Sequence, residues 1–199
     1  MPLSRLTPTS ARSISNPSET DGLTAGRRLV PFVLVVIGDT HGTESHRLEG
    51  AVLEAVRAAE RVVHTGDFTA HPVLEAVRSE ASELLAVSGN NDDAVIREQL
   101  PETRTFDALG RRFVVTHGHR RDDTARSLLS RQECADVLLV GHSHRPEIRT
   151  IGPVREVNPG SYADPRWNES AFAVVERQGG DPIARLVRPD GTTIRRAGV

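Results

Sequence analysis

Seven side chains able to ligate a metal ion stand in five short motifs: Gly38-Asp39-Thr40-His41-Gly42, Gly66-Asp67, Gly89-Asn90-Asn91-Asp92, His117-Gly118-His119 and Gly141-His142-Ser143-His144. They are Asp39, His41, Asp67, Asn90, His117, His142 and His144. Two carboxylates, an amide and four imidazoles are about what two divalent ions need, with positions left open for water and substrate. Each motif follows an apolar run: Val33 to Ile37, Val62-Val63, Leu84 to Val87, Phe113 to Val115 and Val137 to Val140. Buried strands that all end in such groups bring them to one sheet edge, and ligands in open α/β sheets gather beyond the carboxyl ends of strands. The pattern reads as a two-metal hydrolase. Asp39 and His41 are two apart, so in a straight strand they face the same way. Gly38 and Gly42 then allow tight turns that aim both into one pocket.

The elements that position these motifs follow from periodicity. Arg47 to Glu60 carries Leu48, Val52, Ala55, Val56 and Ala59 at helical spacing. Arg61 to His64 is a strand, and Pro72 opens a helix to about Glu80. After the strand Leu84 to Val87, Asp92 and Asp93 are candidate caps for a helix that stops at Pro101. Thr105 to Ala108 and Arg112 to Thr116 form a hairpin whose second strand delivers His117. Asp122-Asp123 caps a helix from Thr124 to Glu133, and Val137 to Val140 is the next strand. The rest reads as β: Glu147 to Ile151, Val154 to Val157, Ala171 to Glu176, Ala184 to Val187 and a strand near Thr193. Helix-strand alternation followed by consecutive strands favours two sheets packed face to face with helices outside.

From about Phe32 to Arg177, the order and content of the motifs resemble the calcineurin-like metallophosphoesterase superfamily, and within it the small bacterial and archaeal phosphodiesterases. Asn158-Pro159-Gly160-Ser161, also carried by those small enzymes, adds to the likeness. The resemblance implies an α/β fold built as a four-layer α/β/β/α sandwich. It assigns Asp39, His41, Asp67 and His144 to one ion, and Asp67, Asn90, His117 and His142 to the other, with Asp67 bridging. The cofactors implied are two divalent ions. A mixed O/N donor set without thiolate suits Mn²⁺, with Ni²⁺, Zn²⁺, Fe or Co²⁺ as alternatives, better than Ca²⁺. Two cations about 3.5–4 Å apart would share a water, lower its pKa and hold it in line with phosphorus. They would also offset charge on the phosphoryl oxygens.

The expected function is therefore metal-dependent hydrolysis of a small phosphate diester, with no covalent nucleophile. Ser143 lacks the second glycine of a nucleophile elbow and reads as a spacer. Many superfamily members carry His after the asparagine of the third motif, where Asn91 stands here. Asn91 can donate a hydrogen bond but cannot be a general acid. That leaves His119 as the candidate for proton donation or substrate contact, and Arg120 and Arg145 as candidates to hold a phosphate. His64 could orient a ligand or simply pack, His46 and His71 read as solvated, and Asn158 to Ser161 is a site loop or a plain turn.

Composition narrows the alternatives. The 199 residues suit one domain, and with 37% hydrophobic and 4% aromatic residues the small aliphatics must carry the core. A net charge of −2 and sparse aromatics disfavour nucleic acid as partner, although Arg111, Arg112, Arg120 and Arg121 could form a local basic strip. The basic residues are all Arg, which excludes Schiff-base or P-loop lysine chemistry. The single cysteine, Cys134, reads as a packed or inert thiol and fits a reducing, cytoplasmic setting. Residues 1–30, rich in Ser, Thr, Pro and Gly, read as a disordered extension preceding a catalytic domain over 31–199. Arg27-Arg28 before an apolar run resembles a twin-arginine export signal, but cleavage beyond it would remove the first strand. No stretch is long enough to span a membrane. Two other functions compete: a phosphomonoesterase, and a non-catalytic scaffold of the same fold, as in a eukaryotic retromer subunit with degraded site chemistry. Whether the protein self-associates into a homo-oligomer is left open by the sequence.

Overall fold

In the computed structural model, which describes residues 32–199, the strand β1 (Val33–Ile37) lies at the heart of the molecule. The leader and its arginine pair lie outside the described residues. The side chains of β1 alternate between two apolar layers, as a pleated strand buried on both faces requires. Leu34 and Val36 pack between the sheets with Val63, Phe113, Leu139 and Val175. Val35 and Ile37 pack under the helices with Val52, Val56, Val73 and Leu74. Each fully buried Val or Leu contributes roughly 1.5–3 kcal/mol, so these Val-rich strands hold the fold without many aromatics.

β1 pairs in parallel with β2 (Arg61–His64), and β2 with β3 (Leu84–Ala86). On its other side β1 meets antiparallel β9 (Phe172–Gln178), followed by β10 (Asp181–Val187) and β11 (Thr193–Gly198). The order of this six-stranded sheet is β11-β10-β9-β1-β2-β3. The second sheet has five strands. At its centre β5 (Arg111–Thr116), β6 (Val137–Val140) and β8 (Val154–Asn158) run parallel. Antiparallel β4 (Thr103–Ala108) and β7 (Glu147–Ile151) close its edges.

Helices α1 (Gly50–Ala58), α2 (His71–Glu80) and α3 (Ala94–Gln99) contribute Val56, Leu74 and Ile96 to the layer outside the first sheet. Helix α4 (Asp123–Gln132) covers the second through Leu129, against Val114, Leu138 and Val140. The four-layer sandwich expected from the sequence is the fold observed. No helix among the described residues is long and apolar enough to cross a membrane.

Local details differ from the sequence expectation. Asp93, not Asp92, caps α3, its side chain accepting from the Ile96 N–H at 2.9 Å. Asp122 caps α4 through the Ala125 N–H at 2.8 Å, so that helix begins one residue earlier than expected. Cys134, expected to be a packed or inert thiol, is not packed: it is exposed at φ +53° just past α4, where the chain leaves the helix. β10 starts at Asp181 rather than Ala184, because the left-handed glycines Gly179 and Gly180 turn the chain tightly back from β9.

Candidate metal centre

The loops after β1, β2, β3, β5 and β6 converge, and all seven side chains singled out in the sequence meet there. Asp39, His41 and His144 bring three donor atoms within 4.8 Å of one another, and Asp67, His117 and His142 do the same. In the first group, Nε2 of His41 and of His144 are 3.2 Å apart, and His144 Nε2 is 3.4 Å from Asp39 Oδ1. Asp67 lies between the groups: its Oδ2 is 3.5 Å from His41 Nε2 and 3.2 Å from His117 Nε2. Asn90 joins the second group, its Oδ1 3.1 Å from His117 Nε2.

The chemistry of this donor set fits a cation. His117 Nδ1–H donates to the Thr65 carbonyl at 2.8 Å, and His144 Nδ1–H to that of Asp164. A proton held on that side makes Nε2, which faces the site, the nitrogen that would offer a lone pair to a cation. Oxygen and imidazole donors without sulfur suit a hard or borderline divalent ion. Burial pushes the Asp39 carboxyl up to about 7. Burial works in the same direction on Asp67, but hydrogen bonds from His117 and Asn91 outweigh it and hold that carboxyl well below its usual range. For His117 burial favours the neutral ring, yet the carboxylates of Asp67 and Asp39 raise it above an ordinary imidazole.

The backbone is contorted to achieve this convergence. Asp39, His41, Asp67, His142 and His144 have φ of 51°, 46°, 60°, 69° and 57°, all left-handed. Such conformations cost on the order of 1–3 kcal/mol each and cluster at functional sites. They also change the explanation for the first motif. β1 has ended by Ile37, so Asp39 and His41 converge through left-handed turns rather than through the pleat of a straight strand. Gly38 and Gly42 do not supply the turns, since neither has positive φ. They allow close approach: a Cβ at Gly38 would strike the Thr65 hydroxyl, and one at Gly42 would lie 2.7 Å from the Ser45 carbonyl oxygen.

Buried polar groups behind the donors lock these turns. His64 is fully buried, with Nε2 2.9 Å from the Thr40 hydroxyl and Nδ1 accepting from the Gly66 N–H at 3.1 Å. Burial pushes its imidazole down to about 3, so it stays neutral while joining the first two candidate donor loops. Its ring also stacks on Phe68, so it packs as foreseen, and its hydrogen bonds go to Thr40 and Gly66, the neighbours of Asp39 and Asp67, rather than to a candidate ligand's side chain. Asp92 accepts from the N–H groups of Gly89 at 2.7 Å and Thr69 at 2.8 Å, bracing two loops instead of capping a helix. Asn91 donates its backbone N–H and one amide N–H to the Asp67 oxygens at 2.8 and 2.7 Å. The Asn158–Ser161 segment is more than a plain turn. Asn158 donates to the Gly141 carbonyl at 2.9 Å and Ser161 to that of Asp39 at 2.7 Å.

The remaining candidates divide. His119 lies beside the second group, its ring 5.4 Å from His117 and 6.1 Å from His142. Its Nδ1 is buried without a hydrogen-bond partner among the described residues. His119, Arg120 and Arg121 help line a cavity of about 240 Å³ that His117 also borders. Arg120 is paired with Glu102 at 3.1 Å. Arg145 lies within 3.8 Å of Glu147, and its side chain is largely exposed. Ser143 accepts from Asn158 at 3.0 Å, in keeping with a spacer. His46 and His71 stand near Glu80 and Glu75, each at 3.5 Å. The sequence reading missed Arg166, whose charge acts on Asp39, His41, His142 and His144. It belongs to no motif, and only its neighbour Trp167, the lone tryptophan, marked the stretch.

Comparison with known proteins agrees with this picture. Residues 32–180 match the model of the calcineurin-like phosphoesterase superfamily domain. A protein of Methanothermobacter thermautotrophicus named "probable metallophosphoesterase" is 32% identical over 168 residues, covering 82% of this chain and 96% of that protein. Phosphodiesterase YfcE of Escherichia coli K12 is 28% identical, covering 72% of this chain and 86% of its own. Among solved structures, Vps29 of Entamoeba histolytica complexed with Zn²⁺ covers 84% of this chain and 99% of its own, with TM-score 0.68. At 24% identity that likeness speaks to the fold alone. Divalent-metal binding is implied by the fold, and candidate donors are in place for it. Because the family match spans every one of the five motifs, this chain belongs to the calcineurin-like phosphoesterase superfamily.

Proposed function

We propose that the protein is a phosphodiesterase that works with two divalent cations, manganese foremost and nickel, zinc, iron or cobalt as alternatives. Asp39, His41 and His144 with Asp67 hold one cation; Asp67 with Asn90, His117 and His142 holds the other. The observation that carries this reading is the position of Asp67, one carboxylate oxygen of which faces imidazoles of both groups. When bound, such a pair of cations lowers the pKa of a shared water and offsets charge on the phosphoryl oxygens. The chain's own residues do the rest. Asn91 orients Asp67 through two hydrogen bonds, which gives it a positioning role. His119, whose Nδ1 has no hydrogen-bond partner among the described residues, contacts the substrate or handles the proton of the leaving oxygen. Arg120, beside it on the cavity wall, and Arg145 supply positive charge for the phosphate.

The test compares hydrolysis of bis(p-nitrophenyl) phosphate and p-nitrophenyl phosphate by metal-stripped protein to which Mn²⁺, Ni²⁺, Zn²⁺ or Mg²⁺ is returned. Diester turnover should reappear with metal and be lost in Asp67→Asn. Preference for the monoester would make the protein a phosphomonoesterase. No turnover with two metals demonstrably bound would favour a scaffold that works through protein contacts.

A further inference from the structure

Trp167 is the chain's only tryptophan, and at 94% it is by far the most exposed large apolar side chain among the described residues. It contributes to none of the three apolar clusters of the core. It sits in a turn from Pro165 to Asn168, closed by the Asn168 N–H on the Pro165 carbonyl at 2.9 Å. Arg166, the residue before it, is held at φ +55°, a conformation rare for so bulky a side chain.

This turn is tethered to the metal centre. The residue preceding it, Asp164, accepts the His144 Nδ1–H on its carbonyl, and its own N–H is held by Ser161 Oγ at 2.8 Å. The Asp164 carboxylate lies 3.9 Å from His144 Nδ1 on one side and 3.9 Å from Arg166 Nε on the other. A single side chain thus separates a candidate ligand from the Arg166 guanidinium. That guanidinium is about half exposed, and Asp164 is its only ion-pair partner among the described residues. An indole left in water does nothing for the fold. One residue along from the Arg166 cation, in a turn bonded to His144, it has the chemistry of an aromatic platform: a planar ring stacks on it while the phosphate charge meets the arginine.

We propose that the Pro165–Asn168 turn recognises the substrate, with Arg166 taking phosphoryl charge on the His144 side and Trp167 stacking on a planar ring carried by the ester. The substrate class is then a phosphodiester bearing an aryl or heteroaryl group rather than a simple dialkyl phosphate. This rests on the phosphodiesterase reading and deepens it.

Because Trp167 is the only indole, its emission reports the contact without interference. Manganese-loaded protein is titrated with diphenyl phosphate, dimethyl phosphate and inorganic phosphate, following tryptophan emission and, by calorimetry, affinity. Diphenyl phosphate alone should shift the emission to the blue. Trp167→Ala should weaken diphenyl phosphate about tenfold, as loss of one stacked ring does, and leave dimethyl phosphate unchanged within about twofold. Trp167→Phe should retain most of the affinity, and Arg166→Ala should weaken both diesters. Unchanged emission with equal diphenyl phosphate affinity in wild type and Trp167→Ala would overturn the inference, even if diester turnover were intact. Trp167-dependent binding of diphenyl phosphate without turnover of any diester would uphold the recognition element while sinking the phosphodiesterase reading. A diphenyl phosphate affinity indifferent to Trp167, paired with capture of a protein partner through that residue, would also overturn it.

Discussion

His142 offers a clean test of whether the metal centre is built on a strained backbone, because the sign of the effect decides it. The residue is exposed and sits at φ +69°. Its exposed imidazole lies 5.3 Å from the His117 ring and 6.1 Å from that of His119, and its backbone N–H donates to Asp39 at 3.0 Å whatever the side chain. Two variants, His142→Ala and His142→Gly, remove the same imidazole and differ only in how they tolerate the left-handed region. At an ordinary helix or strand position, glycine is less stable than alanine by about 0.5–1 kcal/mol through chain entropy. In the left-handed region a side chain with Cβ pays roughly 1–2 kcal/mol that glycine does not. The difference should therefore reverse, with His142→Gly more stable than His142→Ala by about 0.5–1 kcal/mol. For a chain of this length that is a melting-temperature gap of about 1–4 °C. The assay is thermal and urea unfolding of both variants in excess chelator, so that metal affinity does not enter. Should His142→Gly prove the less stable of the two, the turn that bears this candidate donor is not strained, and left-handed backbone is not what assembles the site.

Metal itself should act on stability. At about 100 times its dissociation constant, a cation that binds only the folded chain adds about 2.7 kcal/mol; a melting temperature indifferent to both Mn²⁺ and chelator would remove the metal centre from consideration. Outside the two donor groups, hydrogen bonds from Arg149 and then Arg126 hold the Asp123 carboxyl down at about 2. A carboxyl depressed on folding adds stability that is complete above its unfolded value, near 3.9, and is lost as pH falls through the folded one. The gap in urea midpoint between wild type and Asp123→Asn should therefore be constant at neutral pH and close between about pH 4 and pH 2. It will be small, because the Asp123 side chain is largely exposed. A gap independent of pH would contradict the assignment.

The site was legible in the sequence where chemistry and burial coincide. Val33 to Ile37 and Val137 to Val140 announce strands, and carboxylates or imidazoles directly after such runs have few other reasons to be there. What could not be read was backbone conformation. Nothing in Asp39-Thr40-His41 tells that the strand stops two residues before Asp39 and that left-handed turns do the aiming. Asp92 looked like a cap because the local signal for capping is the same carboxylate; only the tertiary fold brings Gly89 and Thr69 to it instead. Arg166 was missed for a related reason. Its relation to the centre runs through Asp164 and His144, some twenty residues earlier in the chain, and no periodicity or motif encodes such a contact.

The origin of the donors has a mechanical consequence. Asp39, His41 and Asp67 follow strands of the six-stranded sheet, whereas His117, His142 and His144 follow strands of the five-stranded one. Each donor group therefore draws on both. A cation seated in either is a rivet through the two halves of the sandwich. Between those halves lies an apolar layer, aliphatic but for Phe113 and the phenylalanines packed against it, which resists separation through burial rather than through directional bonds. Withdrawing a bound ion would then release shear between the sheets at the donor end first, so that the chain would loosen from the rim of the site inward before the core came apart.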